Sequence, residues 1–166
     1  MINIFDIDVI ILDFDGVLTD NNVYLDGDGN ELVKCNRGDG LAFDVLRKLN
    51  KPVLILSTEQ NQVVKARAKK LQVSALNSVK NKDSTLILFA KENGYSLNRT
   101  LYVGNDINDY LAMKLCGYSI CPADSHKDIK NISNIVLKSS GGNGVIREIL
   151  EDVMGLNFIE ILSNKE

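Results

Sequence analysis

The amino-acid sequence predicts an α/β fold built on a doubly wound, Rossmann-like parallel sheet, with a small β-hairpin flap after the first strand. Short apolar runs typical of buried strands alternate with segments of helical periodicity along the chain. The first of these runs, 9–12, ends directly in polar side chains, as strands of open parallel sheets do where they bind ligands. No repeat, low-complexity tract or linker divides the chain, so residues 1–166 are expected to form one domain.

The elements follow in order from apolar spacing and from the turn residues between them. The first strand is predicted at about 8–14, and aspartate–glycine pairs at 26–29 predict a hairpin flap at about 21–36. Five further strands are expected at 52–57, 73–76, 100–103, 118–121 and 135–137. Helices are expected at 40–49, 60–71, 83–93, 106–115, 125–130 and 145–154. Pro52 follows the first helix and Gly94 ends the third, while the apolar tail, 155–166, is expected to dock on the body of the protein.

Composition excludes several classes of partner. The net charge of -3 gives no basic field for nucleic acid or an anionic membrane surface. No apolar run approaches the ~20 residues of a membrane span, and the first eight residues carry two aspartates and no basic residue, unlike a signal peptide. The three cysteines are scattered without a CxxC pair. These features predict a reduced, cytoplasmic protein.

Two carboxylates, Asp13 and Asp15, follow the first predicted strand and are themselves followed by Gly16. Side chains two residues apart on a strand point the same way, so both are expected to reach the cleft at its carboxyl end. Like charges this close favour a cation between them, and hard oxygen ligands suit Mg²⁺. One carboxylate could then attack a phosphoryl group while the other transfers protons. The alternative is a turn with helix-capping residues.

Three later features fit a phosphate site. Ser57 and Thr58 follow a strand at a helix start, where hydroxyls and free N–H groups either cap the helix or bind phosphate. Lys82, at another helix start, is either a surface lysine or a group that neutralises phosphoryl charge. The turn at 104–109 contains more oxygen-bearing side chains than helix capping requires. These oxygens could complete the coordination shell of a Mg²⁺ ion.

Together these features resemble the haloacid dehalogenase (HAD) superfamily of phosphohydrolases, whose pattern is DxDx(T/V), a strand-end Ser or Thr, a Lys and an acidic turn. The resemblance implies that Asp13 is the nucleophile, Asp15 the acid and base, and that Ser57 and Lys82 stabilise the phosphoryl group. It also implies a Mg²⁺ site. The metal residues it implies are Asp13, Asp15, Asn105, Asp106 and Asp109, the last orienting the others.

The hairpin in place of a cap domain resembles the capless HAD phosphatases of 3-deoxy-ulosonic acid phosphates. These act on 3-deoxy-D-manno-octulosonate (KDO) 8-phosphate, a lipopolysaccharide precursor, or on nonulosonate 9-phosphates of the sialic acid pathway. The resemblance implies a small acidic sugar phosphate as substrate and a homotetramer in which a neighbouring subunit covers each active site. The substrate-binding residues it implies are Gly16, Thr58, Glu59, Asp39, Arg67 and Lys70.

Two departures from the family pattern bear on function. Glu59 stands where the octulosonate phosphatases usually carry Arg, and this difference favours a nonulosonate 9-phosphate as substrate. Arg67 and Lys70 would then bind a carboxylate of the substrate. The alternative is that these two residues form a solvated helix face. Asn105 stands where active phosphatases usually have a metal-binding Asp. The second departure keeps open an alternative function, a weakly active or non-catalytic companion domain of acylneuraminate cytidylyltransferase.

A third reading is a phosphorelay receiver, which shares an acidic cluster, a hydroxyl and a lysine. Receivers carry the phosphoacceptor Asp after the third strand, where this chain has Asn77 and Ser78. The sequence therefore favours a phosphatase.

Overall fold

The computed structural model describes residues 2–163, which form a six-stranded parallel sheet, a separate hairpin and flanking helices. The strands are β1 (Val9–Leu12), β2 (Thr19–Leu25), β3 (Glu31–Cys35), β4 (Val53–Leu56), β5 (Ser74–Leu76), β6 (Thr100–Val103), β7 (Tyr118–Cys121) and β8 (Ile135–Val136). The helices are α1 (Gly38–Lys48), α2 (Val63–Leu71), α3 (Lys82–Asn93), α4 (Tyr110–Leu115), α5 (Lys127–Ile132), α6 (Val145–Glu148) and α7 (Phe158–Ser163). Among these residues no helix has the length and apolar character needed to cross a bilayer.

The strand order of the main sheet is β5-β4-β1-β6-β7-β8, with every pairing parallel. The order reverses at β1, because β4 lies on one side of it and β6 on the other. Leu12 is in register with Ile55 of β4 and with Val103 of β6, so the three strands end together. This is the switch point at which open α/β sheets bind ligands, and the predicted doubly wound fold is confirmed.

The helices cover both faces of the sheet. Because side chains alternate along a strand, Ile10 and Leu12 face one core and Val9 and Ile11 face the other. The first core includes buried side chains of α1, α2 and α6, and the second includes those of α3, α4 and α5. Burial on both faces explains why β1 is an uninterrupted apolar run.

The hairpin of β2 and β3 forms its own two-stranded antiparallel sheet. Its first strand begins at Thr19, earlier than the predicted flap, and the register shifts between Thr19 and Val23. Asn21, inside this shift, has a left-handed φ of 63°. The prediction depended on the aspartate–glycine pairs of the turn, which do not mark an irregularity at the start of the strand.

The helices lie within about two residues of the predicted bounds at most of their ends, and three larger differences have local reasons. The helix expected at 60–71 begins at Val63, because the Glu59 and Asn61 side chains accept backbone N–H bonds of the preceding turn. The helix expected at 106–115 begins as a 3₁₀ turn, Ile107–Asp109, with a capping box between Asp106 and Asp109. The helix expected at 145–154 is α6 followed by a π-helical turn, Ile149–Val153. In the predicted tail, helix α7 packs against α1. Residues 164–166 of the tail lie outside the described residues.

Candidate active site

A pocket of about 220 Å³ lies at the carboxyl ends of β1, β4 and β6. It is open to solvent and strongly polar. The lining residues are Asp13, Asp15, Asn21, Thr58, Asn105, Asp106, Ile107 and Asn108. The turns after the three strands, together with Asn21 of the hairpin, thus bring together residues from four separate stretches of sequence.

Lys82 joins two carboxylates behind this pocket. Its Nζ lies 2.7 Å from Asp13 Oδ1 and 2.7 Å from Asp109 Oδ1, and all three side chains are buried. Burial alone would lower the pKa of the Lys82 ammonium, but the two carboxylates outweigh it and hold that pKa above its usual value. One ammonium between two carboxylates leaves a net negative charge at the pocket floor.

Asp13 is held so that one oxygen is engaged and the other is free. Its backbone N–H donates to Val103 O at 2.9 Å, which fixes it to the end of β6. Asp13 Oδ1 accepts bonds from Lys82 Nζ and, at 2.7 Å, from Phe14 N. Asp13 Oδ2 has no hydrogen bond to the described residues. Burial, and next the Asp109 charge, raise the pKa of Asp13 well above its ordinary value, which a cation in the pocket would oppose.

Asp15 is half-buried on the same pocket and is supported by Thr19. The Thr19 hydroxyl donates to Asp15 Oδ1 at 3.4 Å and accepts the Gly16 N–H at 3.2 Å. Burial, and next the Glu59 charge, raise the pKa of Asp15. A carboxyl with a raised pKa is suited to donate a proton as well as accept one.

Asp109 is predicted as a metal residue that also orients the others, and the geometry favours the orienting role. Its Oδ1 accepts from Lys82 Nζ and, at 2.8 Å, from Tyr102 Oη. Its Oδ2 accepts from Asn105 N at 3.0 Å and Asp106 N at 3.4 Å. Both oxygens are therefore already occupied. These bonds support the orienting role of Asp109, and a direct contact with the metal stays a prediction.

Tyr102 is a site residue that sequence analysis missed. It lies within β6, where a buried aromatic residue is indistinguishable from ordinary core. Burial, and next the Asp109 charge, raise the pKa of Tyr102 well above its ordinary value, so its hydroxyl remains a donor to Asp109. No signal in the sequence around residue 102 marks this bond.

Asn105 supplies an unused oxygen that fits a cation. The residue is 8% exposed, and its Oδ1 is buried without a hydrogen-bond partner. Gly16, at a φ of 73°, packs against the amide so closely that a Cβ there would lie 1.9 Å from Asn105 Nδ2. Among residues 2–163 no three His, Cys, Asp or Glu side chains group as a metal site. Together with oxygens of Asp13 and Asp15, the Asn105 amide oxygen would form an oxygen set that suits Mg²⁺.

The turn after β4 is held by its own side chains rather than by a helix start, because α2 begins only at Val63. Ser57 is buried and its Oγ accepts the Glu59 N–H at 3.0 Å, while exposed Thr58 lines the pocket. Glu59 Oε1 accepts the N–H groups of Gln60 and Asn61. These bonds order the turn and leave the Thr58 side chain at the pocket, so a role of this turn in phosphate binding stays a prediction.

Of the six predicted substrate-binding residues, Thr58 lines the pocket, Gly16 and Glu59 lie in the turns beside it, and the other three lie elsewhere in their own subunit. Asp39 is buried and accepts the N–H groups of Ile146, at 3.0 Å, and Arg147, at 3.2 Å, so it caps α6. Arg67 and Lys70 line a separate basic pocket of about 460 Å³ beside α1 and α2. Substrate binding by Asp39 stays a prediction. In its own subunit, Oδ1 of this buried carboxylate is engaged with a helix that begins more than a hundred residues later.

A glycine loop before α6 braces the turn that follows Asp15. Gly142 N–H donates to Val17 O at 3.0 Å. A Cβ on Gly141 would lie 2.3 Å from Gly16 O, so only glycine allows this backbone contact. This contact joins distant segments of the chain, so it is visible only in the structure.

Comparison with known proteins identifies the family of this chain. A family of haloacid dehalogenase-like hydrolases matches residues 47–149. The 3-deoxy-D-manno-octulosonate 8-phosphate phosphatase of Haemophilus influenzae is 30% identical over 146 residues, covering 87% of this chain and 81% of that protein.

Two solved structures extend the comparison. A protein assigned to the HAD hydrolases from Streptomyces avermitilis superposes with a TM-score of 0.89 at 44% identity, over 91% of this chain and 87% of that one. The cobalt-bound octulosonate 8-phosphate phosphatase of Haemophilus influenzae gives 0.84 at 27% identity, over 95% and 90%. The predicted enzyme class, a phosphoric monoester hydrolase, is confirmed by these relatives. This chain belongs to the haloacid dehalogenase-like hydrolases.

Proposed function

We propose that the protein is a Mg²⁺-dependent phosphatase of a small acidic sugar phosphate, working through an aspartyl-phosphate. The observation that carries this proposal is the placement of Asp13, with one oxygen fixed by Lys82 and the other free, on the same pocket as Asp15. A fixed nucleophile facing a proton donor is what two-step phosphoryl transfer requires.

In the first step Asp13 Oδ2 attacks phosphorus and the bond from phosphorus to the sugar oxygen breaks. Asp15 gives its proton to the departing oxygen, so a neutral alcohol leaves. In the second step Asp15 takes a proton from water as the water oxygen attacks the aspartyl-phosphate. The bond between Asp13 and phosphorus breaks, and inorganic phosphate and the free carboxylate are restored.

Lys82, Ser57 and the turn around the pocket stabilise charge during both steps. The Lys82 ammonium has two of its three protons on Asp13 and Asp109, and its third is available for a phosphoryl oxygen. Mg²⁺ would be held by Asp13, the backbone carbonyl of Asp15, and Asn105 or Asp106. When bound, it neutralises phosphoryl charge.

The substrate we propose is a 3-deoxy-ulosonate phosphate. Relatives at 28–30% identity act on 3-deoxy-D-manno-octulosonate 8-phosphate, as their names state. The presence of Glu59 in the turn after β4 supports the predicted nonulosonate 9-phosphate instead. Both substrates are acidic, polyhydroxylated alkyl phosphates, and they differ in the length and stereochemistry of the leaving sugar.

We further propose that residues 1–166 act as one domain within a homotetramer that shares its active sites. The hairpin exposes four large apolar side chains, between 51% and 68% exposed: Val23, Tyr24, Leu25 and Leu32. Exposed apolar clusters of this kind are typical of interfaces. Arg67 and Lys70 could meet a substrate carboxylate from a neighbouring subunit, since they do not reach their own acidic pocket. The free thiols of Cys35, Cys116 and Cys121 support the predicted cytoplasmic location.

The primary experiment is Mg²⁺-dependent phosphate release from octulosonate 8-phosphate, a nonulosonate 9-phosphate, neutral hexose phosphates and phenyl phosphate. We expect selective hydrolysis of one ulosonate phosphate and loss of all activity in Asp13→Asn. Undiminished activity in a folded Asp13→Asn protein would overturn the mechanism. Preference for neutral sugar phosphates would overturn the substrate class.

Shared sites are tested by mixing two inactive variants. Asp13→Asn removes the nucleophile, and Arg67→Ala removes a basic group from the separate pocket. After dissociation and joint reassembly, the intact nucleophile of one subunit can meet the intact Arg67 of another, so we expect activity to return. Activity no higher than that of the separate variants would show that Arg67 does not act across subunits.

A second candidate function is the companion domain of acylneuraminate cytidylyltransferase, and Asn105 is the observation that favours it. An amide in place of a carboxylate makes the pocket less negative and weakens cation binding. For this candidate, no substrate is turned over until Asn105→Asp restores the missing charge. Activity of the wild-type protein equal to that of Asn105→Asp would exclude it.

A further inference from the structure

We propose that Asn21 is a specificity-determining residue whose side-chain amide contacts hydroxyl groups of the leaving sugar. The inference rests on the proposed function and extends it to a residue outside the family motifs. Among the described residues that line the acidic pocket, Asn21 is the one contributed by the hairpin. The remaining lining residues come from the turns after β1, β4 and β6.

The Asn21 amide is free for a ligand. It makes no side-chain hydrogen bond to the described residues and is exposed. Its two neighbours are engaged with each other instead, since Asp20 accepts both the backbone and the side-chain bonds of Asn22. A free amide both donates and accepts, which matches a sugar hydroxyl, and its neutrality adds no repulsion toward phosphate or carboxylate.

The backbone at Asn21 determines where the amide lies. Its φ of 63° lies in the left-handed region, which glycine adopts most easily and which asparagine tolerates better than most residues with a side chain. This conformation places the side chain on the rim of the pocket. Asn21 N–H also donates to Thr19 Oγ1 at 3.2 Å, the hydroxyl that supports Asp15. The amide is thus placed in fixed relation to the proton donor.

The test is Asn21→Gly, which keeps the backbone conformation and removes only the amide. We expect KM for the preferred ulosonate phosphate to rise about three- to tenfold, the effect of one or two lost hydrogen bonds. Hydrolysis of phenyl phosphate, whose leaving group has no hydroxyl to bind, should not change. The matched control is Asn50→Gly, because Asn50 is also exposed at a left-handed φ, of 50°, but does not line the pocket.

Binding of the free sugars, octulosonate and nonulosonate, is measured by calorimetry on the same three proteins, so the outcome does not depend on turnover. Weaker sugar binding in Asn21→Gly alone supports the proposal. Equal sugar affinity and equal KM in wild type and Asn21→Gly overturn it, as does a KM rise of the same size for phenyl phosphate. A wild-type protein that binds sugar but releases no phosphate overturns the proposed function and leaves the binding result to decide on Asn21. A wild type that binds neither sugar overturns the role of Asn21.

Discussion

Asp109 organises the site without lying on it. Its four hydrogen-bond donors come from β6, from the turn that follows β6 and from the start of α3. Because a buried carboxylate is held in place by its hydrogen-bond donors, these bonds fix the position of Asp109. Asp109 in turn restrains Lys82, and Lys82 restrains Asp13. Removing one partner of such a network is costly, since the carboxylate stays buried with fewer donors.

Replacement of Tyr102 by Phe removes one of these donors without changing the size of the core. We expect the free energy of unfolding to fall by about 1–3 kcal/mol, because Asp109 Oδ1 keeps only Lys82. Urea unfolding at neutral pH measures the change. Tyr118→Phe, on the next strand, is the control, since the Tyr118 hydroxyl has no hydrogen bond to the described residues. Equal losses in the two variants would contradict a special role for the Tyr102 hydroxyl.

Residues with local signatures could be predicted from the sequence, and residues defined by distant partners could not. Asp13, Asp15 and Asn105 follow buried strands directly, so periodicity alone places them at one edge of the sheet. Asp39 has no such mark, because its partners are N–H groups at the start of α6. The same holds for Tyr102, whose partner lies beyond the end of its own strand.

At the scale of elements, the loop between β8 and α6 is fastened by Glu148. Its carboxylate accepts the N–H groups of Lys138 and Ser139, each at 2.8 Å. Partial burial opposes ionisation, but these bonds prevail and lower the pKa of Glu148 below its ordinary value of 4.5. The loop held in this way contains the glycines that contact the turn after Asp15.

The pH dependence of this fastening has a definite sign. A lowered folded-state pKa means that the ionised Glu148 stabilises the fold above the ordinary value of 4.5, and that this contribution is lost as pH falls through the folded-state pKa. Glu148→Gln should therefore lose less stability on acidification than wild type. The difference should not exceed about 1 kcal/mol, because solvent screens a half-exposed carboxylate. Urea unfolding at neutral and at acid pH measures it, and parallel pH profiles would contradict it.

Gly141 links this loop to catalysis, and Gly141→Ala tests the link. The added Cβ would meet Gly16 O at 2.3 Å and force the turn after Asp15 to move. We expect kcat on phenyl phosphate to fall at least about tenfold, because small displacements at reacting groups are costly. Gly27→Ala is the control, since a Cβ there meets nothing within 4 Å. Unchanged kcat in Gly141→Ala would show that the turn tolerates the shift.

Elements were predictable to the extent that their own residues determine them. The strands of the main sheet lie close to the predicted positions because burial on both faces requires continuous apolar runs. The start of α2 and the π-helical turn at Ile149–Val153 were not predictable. The first depends on side chains that compete with the helix for backbone N–H groups, and the second lies within a continuous helical pattern.

At the scale of the whole molecule, the hairpin exposes apolar side chains that assembly would bury. We expect the double variant Leu25→Glu and Leu32→Glu to dissociate the proposed tetramer, because four subunits would bring the new charges together. Size-exclusion chromatography with light scattering measures the mass. Ile159→Glu, at a side chain 81% exposed on α7, is the control. A monomeric wild-type protein, or a double variant of unchanged mass, would contradict assembly through the hairpin.

The position of β1 at the centre of the sheet also has a consequence for biosynthesis. β1 pairs with β4 soon after both have been made, but its other edge pairs with β6, where Val9 is matched with Thr100. During translation this edge of the apolar strand β1 has no neighbouring strand until most of the chain has left the ribosome. Pairing between such distant segments is slow, and an unpaired apolar edge is prone to aggregation. Nascent chains that stall before β6 should therefore be substrates for chaperones.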